Sequence, residues 1–216
     1  MPISVIIPTL NEAEFLGSLL SQLRAQSAFE VLVCDGGSHD ETLAIARSYG
    51  ATIIQSDPGR SVQLAAGAAS ARGDSLFFLH ADTILPLNAL ELIAATLAQN
   101  PTASGSFCLA FAHQNPALQF YAFCSQINCL WTTYGDQGLF MTRLTYDKIG
   151  GFRNMTLLED VDIQKRARRH GPFLKLPESL ITSPCRFLRD GVIMRQLLNL
   201  IIIVGYTCGV PFALPC

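Results

Sequence analysis

Short runs of β-branched and apolar residues alternate with segments whose apolar positions recur three or four apart, and this alternation constrains the chain more than any other feature. Residues 3–7, closed by Pro8, and residues 31–34 read as strands buried on both faces of a parallel sheet. Between them Phe15, Leu16, Leu19, Leu20 and Leu23 share one helical face, which supplies the crossover that parallel neighbours require. The pattern continues with a helix over 41–49, a strand over 52–55, a helix over 62–71 and a strand over 75–79. Repeated βαβ units predict a mostly parallel central sheet flanked by helices, with ligands collected beyond the carboxyl ends of the strands.

After Leu87 the pattern loosens, and helices over 88–98, 116–130 and 159–170 with a strand over 105–111 complete the reading. Half of the residues are hydrophobic and 15% are charged, which suits a single α/β domain, assigned to residues 1–190. Residues 191–216 form an apolar segment, uncharged from Gln196 onward and preceded by Arg186, Arg189 and Arg195. It is expected either to dock as a helix on the domain or a second copy of the chain, or to lie on a membrane surface. A transmembrane span is disfavoured by Asn199, Gly205, Gly209 and Pro211. A net charge of -2 offers no basic surplus for nucleic acid. The seven cysteines show no CxxC spacing, so a reduced cytoplasmic setting, at the inner membrane face if the tail binds there, is the expected location.

Three acidic positions fall where such a sheet gathers ligands. Asp35 follows the second strand in a Gly-rich turn, Asp82 follows the strand ending at Leu79, and Glu159 and Asp160 open a later helix. An aspartate in a Gly-rich turn also serves simply as a turn cap. Neither GxGxxG nor GxxxxGK[ST] occurs, so hydride transfer and P-loop phosphoryl transfer lose their main support. No Gly-x-Ser-x-Gly elbow suggests a hydrolase triad.

Residues 4–12 (SVIIPTLNE), 33–42 (VCDGGSHDET), 80–83 (HADT) and the Glu159-Asp160 pair, taken in order, resemble the successive signatures of family 2 glycosyltransferases. Residues 59–67 and 134–138 are similar to a small bacterial single-domain subgroup. The resemblance implies an A-type nucleotide-diphospho-sugar transferase fold. Pro8, Thr9, Asn11, Glu12, Asp35 and Gly36 would line the nucleotide pocket, with Arg60 at the phosphates. Asp82 would stand at the last position of the DxD motif and bind Mg²⁺ or Mn²⁺, and Asp160 of the pair with Glu159 would be the general base. Asp136, Gln137 and Trp131 are candidates for contact with acceptor or sugar, an ordinary turn being the alternative for the first two.

That chemistry has a clear requirement. Breaking the sugar–diphosphate bond leaves negative charge that a hard cation offsets, while a carboxylate on the opposite sugar face takes the acceptor's proton. Opposed faces give a single displacement with inversion. The first DxD position is His80, an imidazole able to coordinate a cation or donate a hydrogen bond. The family's downstream Gln-x-x-Arg-Trp element is not evident. The implied partners are a nucleotide-diphosphate sugar and a hydroxyl acceptor, which the uncharged tail makes conceivable as lipid-linked. A sugar nucleotidyltransferase and a noncatalytic nucleotide-binding module stand as alternatives.

Overall fold

The computed structural model describes residues 1–183, and the expectations for residues 184–216, including the apolar tail, lie outside them. Strands β1 (Ile3–Thr9), β2 (Glu30–Asp35), β3 (Thr52–Gln55) and β4 (Ser75–Phe78) pair in parallel in the order β3-β2-β1-β4. Helices α1 (Ala13–Ala25), α2 (Thr42–Ser48) and α3 (Arg60–Ser70) make the crossovers. Alternation along β1 divides the core: Val5 and Ile7 join the cluster under α1, whereas Ile6 joins Leu64 and Ala68 of α3. Both faces of this half are therefore covered, as the continuous apolar strands predict.

The second half is mixed. After β5 (Thr83–Ile84) and α4 (Ala89–Gln99) come β6 (Ser104–Phe111), α5 (Pro116–Ser125), β7 (Leu139–Thr142), α6 (Arg143–Lys148), α7 (Glu159–His170) and β8 (Phe173–Thr182). They complete an eight-stranded sheet in which β7 inserts between β4 and β6 and runs antiparallel to both. β8 pairs in parallel with β6 and antiparallel with β5. No helix among the described residues is long and apolar enough to cross a membrane, and Cys34, Cys108, Cys124 and Cys129 are free thiols.

Several boundaries differ from the sequence reading. Asp35 is the last residue of β2 rather than a residue beyond it, paired in register with Thr9 of β1. The predicted helix over 116–130 ends at Ser125, whose hydroxyl accepts from the Leu109 amide at 2.9 Å and donates to the Ala122 carbonyl at 2.6 Å. Asn128 then donates to the Phe173 carbonyl at 2.7 Å, drawing the chain onto β8 instead of onward as helix. β5, β7, β8 and α6 have no counterpart in the reading. Within β8 the register jumps from Phe107–Leu176 to Cys108–Ser179, so Pro177 and Glu178 bulge out. A proline in an apolar run argues against a strand unless a bulge absorbs it.

Candidate active site

The carboxyl ends of β1 and β2 are stitched into one rim. Asn11, in a left-handed conformation at φ 57°, accepts the His39 amide through Oδ1 at 2.9 Å, while its own amide donates to the Ser38 hydroxyl at 2.9 Å. The Glu12 amide donates to Thr42 at 2.9 Å and the Ala13 amide to Asp40 at 3.1 Å. Beneath the rim, the buried Gln63 amide of α3 donates to the Thr9 and Cys34 carbonyls, each at 2.7 Å. It stands 3.1 Å from where a side chain on Gly36 would begin, which explains a glycine there.

Asp35 is 1% exposed. Its Oδ2 accepts the Gly37 and Ser38 amides at 2.9 Å, and its Oδ1 accepts the Ser38 hydroxyl at 2.5 Å and that of Thr9 at 3.3 Å. Burial pushes its pKa up, but these hydrogen bonds outweigh burial and hold the carboxyl below its ordinary value. Asp35 is thus ionised and organises the turn.

A second group forms where β4, α3, α7 and the loop before β7 meet. Arg60 opens α3, with its Nε 3.2 Å from Glu159 Oε1 and its Nη2 against His80 Nε2. Glu159 is buried, and burial raises its pKa although Arg60 pulls it down. Asp160, in the first turn of α7, accepts the Gly135 amide at Oδ2 (2.6 Å) and the Val161 amide at Oδ1 (2.8 Å). Leu158, at φ 62°, turns the chain sharply into that helix. Pro8, Arg60, His80, Gly135 and Asp160 line one cleft.

Asp136 sits in a 3-10 turn, Gly135–Gln137, with Oδ1 sealed from solvent. Burial is the largest cause raising its pKa to about 7; Asp160 and Asp82 add to the rise, and Arg60 and Lys175 oppose it. Asp136 and Asp160, distant in sequence, are therefore neighbours, as the Gly135 amide on Asp160 also shows. Gln137 is fully buried, accepting from Lys175 and donating to the Thr132 carbonyl at 2.7 Å, so it braces the loop rather than facing a ligand. Trp131 is 45% exposed on the same segment.

Among the described residues no three His, Cys, Asp or Glu side chains cluster as a metal cage. A cation delivered on a diphosphate needs only one or two protein carboxylates, with phosphate and water oxygens filling its other positions. Asp82 offers a carboxylate of that kind, whereas His80 Nε2 faces the Arg60 guanidinium. The residues that the sequence reading missed are Gln63, Lys175 and the Gly135 amide. A glutamine in a helix, a lysine in a strand and a backbone N–H carry no sequence mark of such roles.

A half-parallel sheet whose strand ends gather acidic groups at one rim defines an A-type nucleotide-sugar transferase fold. Solved glycosyltransferase structures share it, among them the following. Mannosyltransferase PcManGT from Pyrobaculum calidifontis, in complex with GDP-Man and Mn²⁺, is 19% identical with a TM-score of 0.68, over 83% of this chain and 56% of that one. S. aureus TarS 1-349 in complex with UDP-GlcNAc is 19% identical with a TM-score of 0.68, over 85% and 58%. Glucosyl-3-phosphoglycerate synthase from Mycobacterium tuberculosis, with Mn²⁺, UDP-Glc and phosphoglyceric acid, is 17% identical with a TM-score of 0.72, over 98% and 81%.

Residues 4–155 match glycosyl transferase family 2, and the chain belongs to that family. In sequence, 53 residues are 45% identical to the 4,4'-diaponeurosporenoate glycosyltransferase of Staphylococcus aureus; they make up 24% of this chain and only 14% of that relative.

Proposed function

We propose that this protein is an inverting glycosyltransferase that moves a sugar from a nucleotide-diphosphate donor to a hydroxyl acceptor. The observation that carries the reading is that Asp160 and Arg60 line one cleft, with Asp136 next to the Gly135 of its lining, at the strand ends of a family 2 fold. The rim built by Pro8, Thr9, Asn11, Glu12, Asp35 and Gly36 receives the nucleoside, with Asp35 fixing the turn that shapes it. Arg60 presents a guanidinium to the diphosphate, where a fixed donor fork suits phosphate oxygens.

Asp82 would hold Mg²⁺ or Mn²⁺, and His80 could add a ligand only through Nδ1, since its Nε2 faces the Arg60 guanidinium. When bound, the cation offsets the charge left on the departing diphosphate. Asp160 takes the proton from the acceptor hydroxyl, whose oxygen forms the new bond to the anomeric carbon as the bond to the diphosphate breaks. The Gly135 amide at 2.6 Å fixes Oδ2 of that base, leaving a second lone pair for the hydroxyl. Attack opposite the leaving group inverts the anomeric centre. Neighbours of this fold hold both UDP- and GDP-sugars, so the donor panel must span both nucleosides. The acceptor presents a hydroxyl, and the assay offers it both lipid-linked and free.

The test is a panel of UDP- and GDP-sugars with Mn²⁺, read by thermal shift and then by nucleotide release with acceptor hydroxyls. Asp160→Asn abolishes transfer while nucleotide still raises the melting temperature. Asp35→Ala loses the nucleotide shift first. Binding without turnover across the panel would instead favour a noncatalytic module, and pyrophosphate release from a nucleoside triphosphate a nucleotidyltransferase.

A further inference from the structure

A lysine ammonium rarely enters a sheet interior without compensation, because desolvating the charge is costly. Lys175 of β8 is half-buried there, and the partners of its ammonium lie on a single loop. Its Nζ donates to the Thr133 hydroxyl at 3.1 Å and to the Gln137 side-chain oxygen. These two residues bracket Tyr134, Gly135 and Asp136, the segment that carries the amide bound to Asp160. Gln137 is tied in turn to the Thr132 carbonyl, and Gln164 of α7 donates to the Thr133 carbonyl at 3.1 Å. The loop is thereby fastened on one side to the helix bearing Asp160 and on the other to β8.

We propose that Lys175 is a positioning residue for sugar transfer, pinning residues 133–137 so that the Gly135 amide and the Asp136 carboxyl are held at Asp160. The inference rests on the assignment of Asp160 as base. Lys175 lies apart from the nucleotide rim, which is built from the ends of β1 and β2. Its loss therefore disturbs proton acceptance and spares nucleotide binding. Burial lowers the Lys175 pKa to about 8, with Arg168 of α7 lowering it further and Cys108 of β6, Asp136 and Cys129 opposing. Deprotonation converts charge-assisted hydrogen bonds into weaker neutral ones, so the pin slackens above that pH.

The experiment compares the full chain with Lys175→Met and Lys175→Arg. Lys175→Met lowers kcat by about tenfold to a hundredfold, the scale of a misplaced reacting group, while nucleotide affinity with Mn²⁺ changes by less than about threefold. Lys175→Arg, which keeps a charged donor, recovers part of kcat. The wild-type kcat falls on an alkaline limb near pH 8; Lys175→Met loses that limb, and any step it keeps belongs to Asp136 and vanishes when Asp136→Asn is added.

Trp131, the only tryptophan in the sequence, gives a readout independent of turnover. In an Asp136→Asn background, which removes the carboxyl titrating at about 7, its fluorescence titrates near pH 8 and loses that step when Lys175→Met is added. The proposal falls if Lys175→Met keeps kcat within about twofold, or if kcat and nucleotide affinity drop together with no recovery by Lys175→Arg. Should the wild type transfer no sugar, the functional reading fails by itself. The pinning is then judged on Trp131, and a titration unchanged when Lys175→Met is added to Asp136→Asn overturns it.

Discussion

Replacing Asp136 by Asn should make the protein more stable relative to wild type as the pH rises, at the expense of activity. The native carboxyl has its pKa raised from 3.8 to about 7, first by burial and then by Asp160. In that window the native state binds more protons than the unfolded chain, so wild-type stability falls with increasing pH. At roughly 1.4 kcal/mol per pH unit, the gap between the two values corresponds to about 4 kcal/mol once the group is fully ionised. Of this, about 2 kcal/mol develops between about pH 5.5 and pH 8. Asn carries no titrating proton and escapes that loss. For a chain of this size the melting-temperature difference between variant and wild type should therefore widen by about 4–8 °C across the interval. Differential scanning calorimetry in chelator, with no nucleotide present, measures it. A difference that stays constant to within about 1 °C would refute the burial of an ionisable Asp136.

Three other perturbations probe separate parts of the molecule. Gly67→Ala should cost about 1–3 kcal/mol in urea unfolding, because the added methyl meets Cys34 Sγ and Ile6 where α3 lies against β1 and β2. Gly135→Ala should leave the melting temperature nearly unchanged yet cut kcat by about tenfold, since its methyl displaces the Arg60 guanidinium and crowds Asp160 Oδ2 at 3.3 Å. Glu30→Gln should be most destabilising near neutral pH and lose its effect in acid. Burial raises the Glu30 pKa, but Ser4 and Arg72 hydrogen bonds leave it net lowered, so its contribution is present above the unfolded pKa and vanishes as pH falls through the native one. Chemical denaturation at a series of pH values reads this directly.

Local pattern made the first half of the fold legible. The β-branched runs and the 3.6-residue spacing of Leu16, Leu19, Leu20 and Leu23 are signals that a single element carries in itself. Each of those strands pairs with neighbours in register as the alternation requires. The second half yielded less, because its elements depend on partners far away. β7 is four residues long and stable only between β4 and β6, while β8 hides a proline in a bulge. The motif residues Asp35, Asp82 and Asp160 were visible as types at strand and helix ends. The roles of Gln63 and Lys175 were not, since neither residue differs from an ordinary surface side chain until its partners are known.

The amino-acid order by itself determined the parallel half-sheet, the family and the identity of the acidic groups, because those follow from periodicity and short motifs that neighbours along the chain impose. Only the tertiary structure decided which groups meet: that Gly135 donates to Asp160, that Arg60 stands between His80 and Glu159, and that Lys175 reaches the loop at Thr133 and Gln137. Electrostatic character depends on distance and desolvation, and both are set by contacts between residues far apart in sequence.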